Sequence, residues 1–297
     1  MSISNNTAHG NAARFNPASR MAITVSETPY RKTAAGRELI ARVYQPEGNG
    51  PFPVLLDLHG GAWNQKNRFA NEPMDRALAT SGLLVVAIDM TLAAEAPYPA
   101  SVQDASYGLR WLKLNAKRWQ GDAATIGVFG SSTGGHIAEL LGMRPRDPRY
   151  NALALAEAPD IDASLDYIAA RSPISDPYAR FMHAQKRNRE AMMQNTRNWF
   201  KPWESVFEAN PQQILDRGEQ VALPPLLIMQ GGLDDNVLPA MQGKFVNAYR
   251  AAGGSVDFTV FEDCDHEWVA TPGPQTDRAH DMVRQFIARH VNAKLAS

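Results

Sequence analysis

Three side chains stand out for the chemistry they would do together: a serine among small residues, an aspartate in a glycine-rich loop, and a histidine near the C-terminus. Gly130-Ser131-Ser132-Thr133-Gly134 fits the pattern G-x-S-x-G. A strand-like run, Thr125–Phe129, precedes it, and a helix-like run, Thr133–Leu141, follows. A sharp strand-to-helix turn pushes a serine hydroxyl out above a sheet, and small residues two before and two after let neighbouring backbone pass close by. In a chain of 297 residues the pattern alone arises by chance roughly one time in ten, so the strand–turn–helix context carries it. Ser131 is the rival hydroxyl, but in its frame the leading small position would be Phe129, too large for the turn. Ser132 is therefore the expected nucleophile.

A nucleophilic hydroxyl needs a base, and the base needs an orienting acid. Gln230-Gly231-Gly232-Leu233-Asp234-Asp235-Asn236-Val237 follows a strand-like run, Pro225–Met229. Loops at the carboxyl ends of parallel strands gather on one edge of a sheet, so an acid here meets the serine turn. Spacing alone does not separate Asp234 from Asp235; motif alignment favours Asp234. Asp263-Cys264-Asp265-His266-Glu267-Trp268 follows the run Val256–Phe261, and His266 is the expected base. The chain order Ser132, Asp234, His266 is that of a hydrolase built on an α/β sheet. Asp263, Asp265 and Glu267 read as solvated charges, and Cys264 as a packed loop residue.

Acyl transfer also needs backbone N–H donors for an oxyanion. Thr133, after the nucleophile, supplies one. His59-Gly60-Gly61-Ala62-Trp63 follows the apolar run Val54–Leu58 and supplies the others. The donors fall among Gly60, Gly61 and Ala62, with Gly61 and Ala62 the expected pair. His59 reads as an organiser of this loop rather than a base. The chemistry calls for no metal and no organic cofactor.

The elements that must position these residues follow from periodicity. Short apolar runs at Ala22–Ser26, Glu38–Tyr44, Val54–Leu58, Leu83–Ile88, Thr125–Phe129, Ala152–Ala156, Pro225–Met229 and Val256–Phe261 predict strands. Helical runs fall at Asn71–Thr80, Ser101–Trp119, Thr133–Leu141, Pro239–Ala251 and Thr276–Asn292. This alternation predicts an α/β fold, a mostly parallel central sheet with helices on both faces. Residues 1–20 read as an irregular arm, 21–159 and 222–297 as the core, and 160–221, rich in Arg, Asn, Gln, Met and aromatics, as an inserted helical cap.

HGGAW, GSSTGG, GGLDDNV and DHEW, in this order, resemble the α/β-hydrolases of the carboxylesterase and hormone-sensitive-lipase-like type; kynurenine formamidases share the HGG-x-W loop. The resemblance covers residues 51 to the C-terminus apart from the insert. It implies that 160–221 sits over the active site. Relatives often carry a Tyr-Arg pair where this chain has Met90-Thr91, and Ala where it has Thr133.

The resulting expectation is a serine esterase acting on a small to medium carboxylic ester. The alternatives are an amidase, formamidase or peptidase-like hydrolase on the same triad, and a non-catalytic small-molecule binder on the same fold. Candidate substrate-binding residues are Trp63, Ser131, Trp199, Phe200 and Trp203, with packing as the competing role. Phe181, Met182, Met192, Met193 and Phe207 read mainly as cap packing. Arg187, Arg189 and Arg197 read as an outer, solvated face, with a grip on an anionic substrate as the competing role.

Hydrophobic residues are 44%, charged residues 21%, and the formal net charge is −1, so no basic field attracts nucleic acid or anionic membrane. One cysteine excludes an internal disulfide framework. No run approaches the roughly 18 apolar residues of a membrane span, and the N-terminus lacks the pattern of a secretory signal. The expected partner is a small-molecule substrate, the expected location cytoplasmic; the oligomeric state is not indicated.

Overall fold

The computed structural model describes residues 15–296. The chain begins with two long strands, β1 (Ile23–Lys32) and β2 (Glu38–Pro46), followed by β3 (Phe52–Leu58), α1 (Glu72–Ala79) and β4 (Leu84–Ile88). Next come α2 (Ala100–Asn115), β5 (Gly121–Ser131), α3 (Thr133–Met143) and β6 (Ile168–Arg171). Four helices intervene: α4 (Pro177–Lys186), α5 (Glu190–Trp199), α6 (Ser205–Glu208) and α7 (Pro211–Asp216). The alternation then resumes with β7 (Leu226–Gly231), α8 (Pro239–Ala251), β8 (Val256–Phe261) and α9 (Pro274–Lys294).

The eight strands form one sheet in the order β1-β2-β4-β3-β5-β6-β7-β8. β1, β2 and β4 pair antiparallel. From β4 through β3 to β8 every pairing is parallel. The α/β expectation is met, with an antiparallel edge added at the N-terminal side.

The period-2 alternation of a strand sends successive side chains to opposite faces. Val54, Leu56 and Leu58 of β3 therefore join the core of one face, which holds Val102 and Leu109 of α2, Ile137 and Leu140 of α3, and, further along the sheet, Phe245 of α8. Leu55 faces the other way, with Leu78 of α1 and with Val283 and Phe286 of α9. Both faces are covered, so β3 and β4 are fully buried, which is why they read as unbroken apolar runs. Burying each large side chain contributes roughly 1.5–3 kcal/mol.

Two expectations need correction. Ala152–Ala156 is a loop, with Ala152 and Ala154 exposed; the strand beside β5 is Ile168–Arg171. That strand has four residues and ends in a buried arginine, too little apolar alternation to register. Its place in the sheet puts a piece of the core inside the segment 160–221. The irregular arm was expected over residues 1–20; residues 1–14 lie outside the described region, while Phe15 is buried and exchanges backbone hydrogen bonds with the Asn292 side chain of α9 (2.9 and 3.0 Å). No helix among the described residues is long and apolar enough to cross a membrane.

Candidate active site

Ser132 sits between the last residue of β5 and the first of α3, at φ 53° and ψ −113°. That left-handed region costs a non-glycine residue roughly 1–3 kcal/mol unless its surroundings impose it. Here they do. The Ser132 N–H donates to the Arg171 carbonyl of β6 (2.9 Å), and the Ser132 carbonyl accepts from His136 (3.1 Å) and Ile174 (3.2 Å). The flanking glycines are required by close approach. A Cβ at Gly134 would lie 2.0 Å from the Leu58 carbonyl oxygen, and one at Gly130 would lie 2.5 Å from that of Gly134.

Ser131 turns away from this position. Its hydroxyl donates to Asn71 Oδ1 (2.8 Å), and Asn71 Nδ2 donates to Asp57 (2.8 Å). The expectation that Ser131 lines a substrate pocket is therefore not met: it is 2% exposed and engaged behind the turn.

His266 Nε2 lies 3.0 Å from Ser132 Oγ, and His266 Nδ1 lies 2.7 Å from Asp234 Oδ2. Asp234 Oδ1 accepts from the Asn236 and Val237 N–H groups (2.9 and 2.8 Å), and Oδ2 also accepts from Gln230 Nε2 (3.1 Å). Burial pushes the Asp234 carboxyl up, but His266 and the two backbone donors outweigh it and hold it below the usual range. It stays ionised and accepts the Nδ1–H. That leaves the Nε2 lone pair aimed at the Ser132 hydroxyl. Asp235, the rival acid, faces outward: its side chain is 64% exposed and pairs with Arg189.

The loop after β3 holds three consecutive peptides by their carbonyls. His59 Nδ1 donates to the Gly60 carbonyl (2.7 Å); burial lowers the His59 pKa, so a neutral ring fills this role. The Gly61 carbonyl accepts from Asn64 and Gln65 (both 3.0 Å). The Ala62 carbonyl accepts from Asn64 Nδ2 (2.6 Å). In a trans peptide the N–H points opposite to its carbonyl. Each anchored carbonyl therefore turns the next N–H, of Gly61, Ala62 and Trp63, the other way. Trp63 N–H meets Thr133 Oγ1 (3.4 Å). The N–H groups of Gly61, Ala62 and Thr133 meet no protein acceptor among the described residues. The Gly61 φ of 107° and the 2.0 Å that would separate a Cβ from Gln65 O leave only glycine here. Gly60 packs against the nucleophile turn, where a Cβ would sit 3.0 Å from Ser131 O.

An aromatic cluster closes one wall. Trp63 stacks on Trp199 (5.0 Å between centroids, 15° between planes), and its Nε1–H donates to His136 Nδ1 (3.2 Å). His136 Nε2 bonds the Ala209 carbonyl (2.8 Å), and Trp199 Nε1 donates to Ser101 (3.0 Å). The loop after β3, the helix α3 and the α5–α6 region are thus fastened together. Trp199 and Phe200 are 0% and 1% exposed, and Trp203 packs on Phe181 (4.7 Å). Trp199 and Phe200 thus take the packing role, while Trp203 is partly buried. Trp63 does border a small cavity of about 10 Å³, with His59, Thr133, Met90 and Leu92.

Several residues of the site escaped the sequence reading. Arg171 donates from its guanidinium to the His266 carbonyl. Asn64 also ties the oxyanion loop to α5, donating to the Asn195 carbonyl (2.9 Å) and accepting from Asn198 (3.2 Å). Arg180 of α4 is buried and donates to Asn236 Oδ1 (2.8 Å). None lies in a motif, and an arginine on the buried face of a helix runs against the apolar template.

A parallel sheet carrying a strained serine turn, a histidine and an aspartate on its carboxyl edge is the α/β-hydrolase arrangement. The chain belongs to the BD-FAE family, whose model matches residues 42–249. Three Mycobacterium tuberculosis proteins are similar over parts of their length. Carboxylesterase NlhH is 37% identical over 112 residues, covering 37% of this chain and 35% of NlhH. Probable carboxylic ester hydrolase LipM is 27% identical, covering 68% of this chain and 46% of LipM. Esterase LipQ is 26% identical, covering 91% and 63%. The chain thus spans between about a third and two thirds of these relatives. Among solved structures, a propionate-bound esterase, Est2, from Thermogutta terrifontis superposes with TM-score 0.70 at 18% identity, covering 89% of this chain and 94% of that one. Esterase LipW from Mycobacterium marinum gives 0.69 at 24%, covering 90% and 82%. At these identities the structures speak for the fold.

Proposed function

We propose that the protein is a serine hydrolase that cleaves carboxylic esters of small acyl groups through an acyl-enzyme. Ser132 is the nucleophile, His266 the base and then the acid, and Asp234 the group that keeps the imidazole tautomer and orientation. As Oγ attacks the carbonyl, its proton passes to His266 Nε2. The Gly61, Ala62 and Thr133 N–H groups receive the oxyanion, and His266 protonates the departing alkoxide. Water then repeats the attack on the acyl group. In this reading α4–α7 act as a cap over Ser132, and the place of action is cytoplasmic, which one buried unpaired cysteine suits.

The observation that carries the reading is the 3.0 Å and 2.7 Å pair of contacts on the two nitrogens of His266. The names of NlhH, LipM and LipQ favour esters over amides, and the propionate- and butyrate-bound Est2 structures favour short acyl groups. The test is a 4-nitrophenyl ester series from acetate to octanoate beside matched anilides, with fluorophosphonate labelling. Ser132→Ala is expected to abolish labelling and lower kcat about 10⁴-fold or more. Labelling that persists in Ser132→Ala, or anilide turnover exceeding ester turnover, would overturn the assignment.

A further inference from the structure

The cap places one cation where a charge is expensive. Arg180 lies on the inner face of α4, whose first turn is capped by Asp176 accepting from Ala179 N–H (2.9 Å). It is 3% exposed, and its guanidinium forms no ion pair with any described residue. Nε donates to Asn236 Oδ1 (2.8 Å) and Nη1 reaches Thr196 Oγ1 at 3.4 Å. Nη2 makes no hydrogen bond to a described residue. The guanidinium also lies over the Trp63 ring, 5.9 Å from its centroid. It therefore spans from the oxyanion loop to the loop that carries Asp234, the two loops that flank Ser132.

A buried charge without a counter-ion is unfavourable, and removing one partner of a buried pair is among the costlier changes a protein can undergo. Asp234 is the carboxylate whose charge offsets it in part. Its two oxygens are already taken by Gln230, Asn236, Val237 and His266, and it makes no contact with Arg180. The other buried cation here, Arg171, has Glu267 3.9 Å away and the His266 carbonyl as acceptor. Burial brings the Arg180 pKa down to about 10, so the group remains cationic at neutral pH. Two of the clustered arginines of this segment are engaged elsewhere: Arg189 on Asp235, Arg197 over the Phe181 ring.

Resting on the hydrolase reading above, we infer that Arg180 is a substrate-binding residue that receives a carboxylate of the substrate, so that the preferred esters carry a negative charge near the scissile bond. A planar guanidinium with free N–H donors matches a carboxylate in two parallel bonds. One new charge-assisted contact of this kind is worth about ten- to a hundredfold in affinity.

The test compares two ester pairs. 4-Acetoxybenzoate and its methyl ester differ by a charge on the leaving group; monomethyl and dimethyl terephthalate differ by a charge on the acyl group. For the unaltered protein, the charged-to-neutral ratio of kcat/KM is expected to be about 10–100 in one of the two pairs. It should fall to about one in Arg180→Met and be partly kept in Arg180→Lys. The same preference is read without turnover by calorimetric titration of Ser132→Ala and of Ser132→Ala with Arg180→Met. A ratio at or below one in both pairs for the unaltered protein overturns the inference. So does a ratio unchanged by Arg180→Met or, where that variant does not fold, by Arg180→Gln. Turnover without charge preference removes the anion site alone. No turnover of any ester, with a retained binding preference, removes the esterase reading and leaves the anion site standing.

Discussion

Replacing Asp234 by Asn leaves the size of the side chain almost unchanged and reverses one hydrogen bond. The backbone decides how the new amide sits. Oδ1 accepts from two N–H groups, those of Asn236 and Val237 (2.9 and 2.8 Å), so the amide oxygen must occupy that position. The amide nitrogen then takes the place of Oδ2, 2.7 Å from His266 Nδ1 and 3.1 Å from Gln230 Nε2. A nitrogen donor there forces His266 Nδ1 to become an acceptor. The ring proton moves to Nε2, and the lone pair that should take the Ser132 proton is lost. An orienting carboxylate of this kind is worth about 10⁴ in rate, so kcat/KM at neutral pH should fall about 10³- to 10⁴-fold, or roughly 4–5.5 kcal/mol. The assay is hydrolysis of 4-nitrophenyl acetate together with the rate of fluorophosphonate labelling. Asp235→Asn is the control, because that side chain is 64% exposed and pairs outward with Arg189; it should stay within about threefold of the unaltered protein. Activity of Asp234→Asn within tenfold of the unaltered protein would refute the tautomer argument. A loss confined to Asp235→Asn would show that the neighbouring acids were assigned the wrong way round.

Behind the nucleophile turn, burial raises the Asp57 carboxyl to about 7 against a lowering hydrogen bond from Asn71, and burial with the Asp57 charge raises Asp75 further. Groups raised in this way hold protons in the native state that the unfolded chain releases near pH 4. Their contribution to stability is therefore complete below about pH 4 and is lost as pH rises through about 7, at roughly 1.4 kcal/mol per pH unit for each retained proton. Asp57→Asn should flatten the fall in melting temperature between pH 5 and pH 8, and parallel curves for the two proteins would contradict the raised carboxyl. Gly134→Ala drives a Cβ to 2.0 Å from Leu58 O and should cost about 3 kcal/mol or more. Gly243→Ala, in the interior of α8 with open space around it, should instead stabilise by about 0.5–1 kcal/mol. Denaturant midpoints of the two variants that moved in the same direction would refute this contrast.

What could be read from the residues, and what could not, follows from how far each signal reaches along the chain. The strands covered on both faces, β3 and β4, read as continuous apolar runs because every side chain is buried. The serine turn was legible because its steric demands fall on Gly130 and Gly134, two residues to either side. Asp234 and His266 each follow a strand, so sheet topology brings them together without any contact having to be guessed. β6 was missed because four residues ending in Arg171 carry no periodic signal; its place is set by pairing with β5 and β7. The choice between pocket wall and packing was left open for a similar reason. Trp199 and Phe200 have the composition of a pocket wall, but whether an aromatic faces a void or a neighbour depends on the Trp63–His136–Ala209 connections, which join residues more than seventy positions apart.

The arginines of α4, α5 and the turn between them show the same limit in electrostatic form. Arg187, Arg189 and Arg197 announced themselves by clustering, and clustering is what solvated side chains do. Arg180 shares its face of α4 with Pro177, Phe181 and Ala184, the buried positions of that helix. One charge on an apolar stripe looks like an exception to the period that defines the helix. With Asn236 and Trp63 in place it stands out in this segment as a buried charge that has no ion-pair partner among the described residues, and burying a charge is costly unless it is paired.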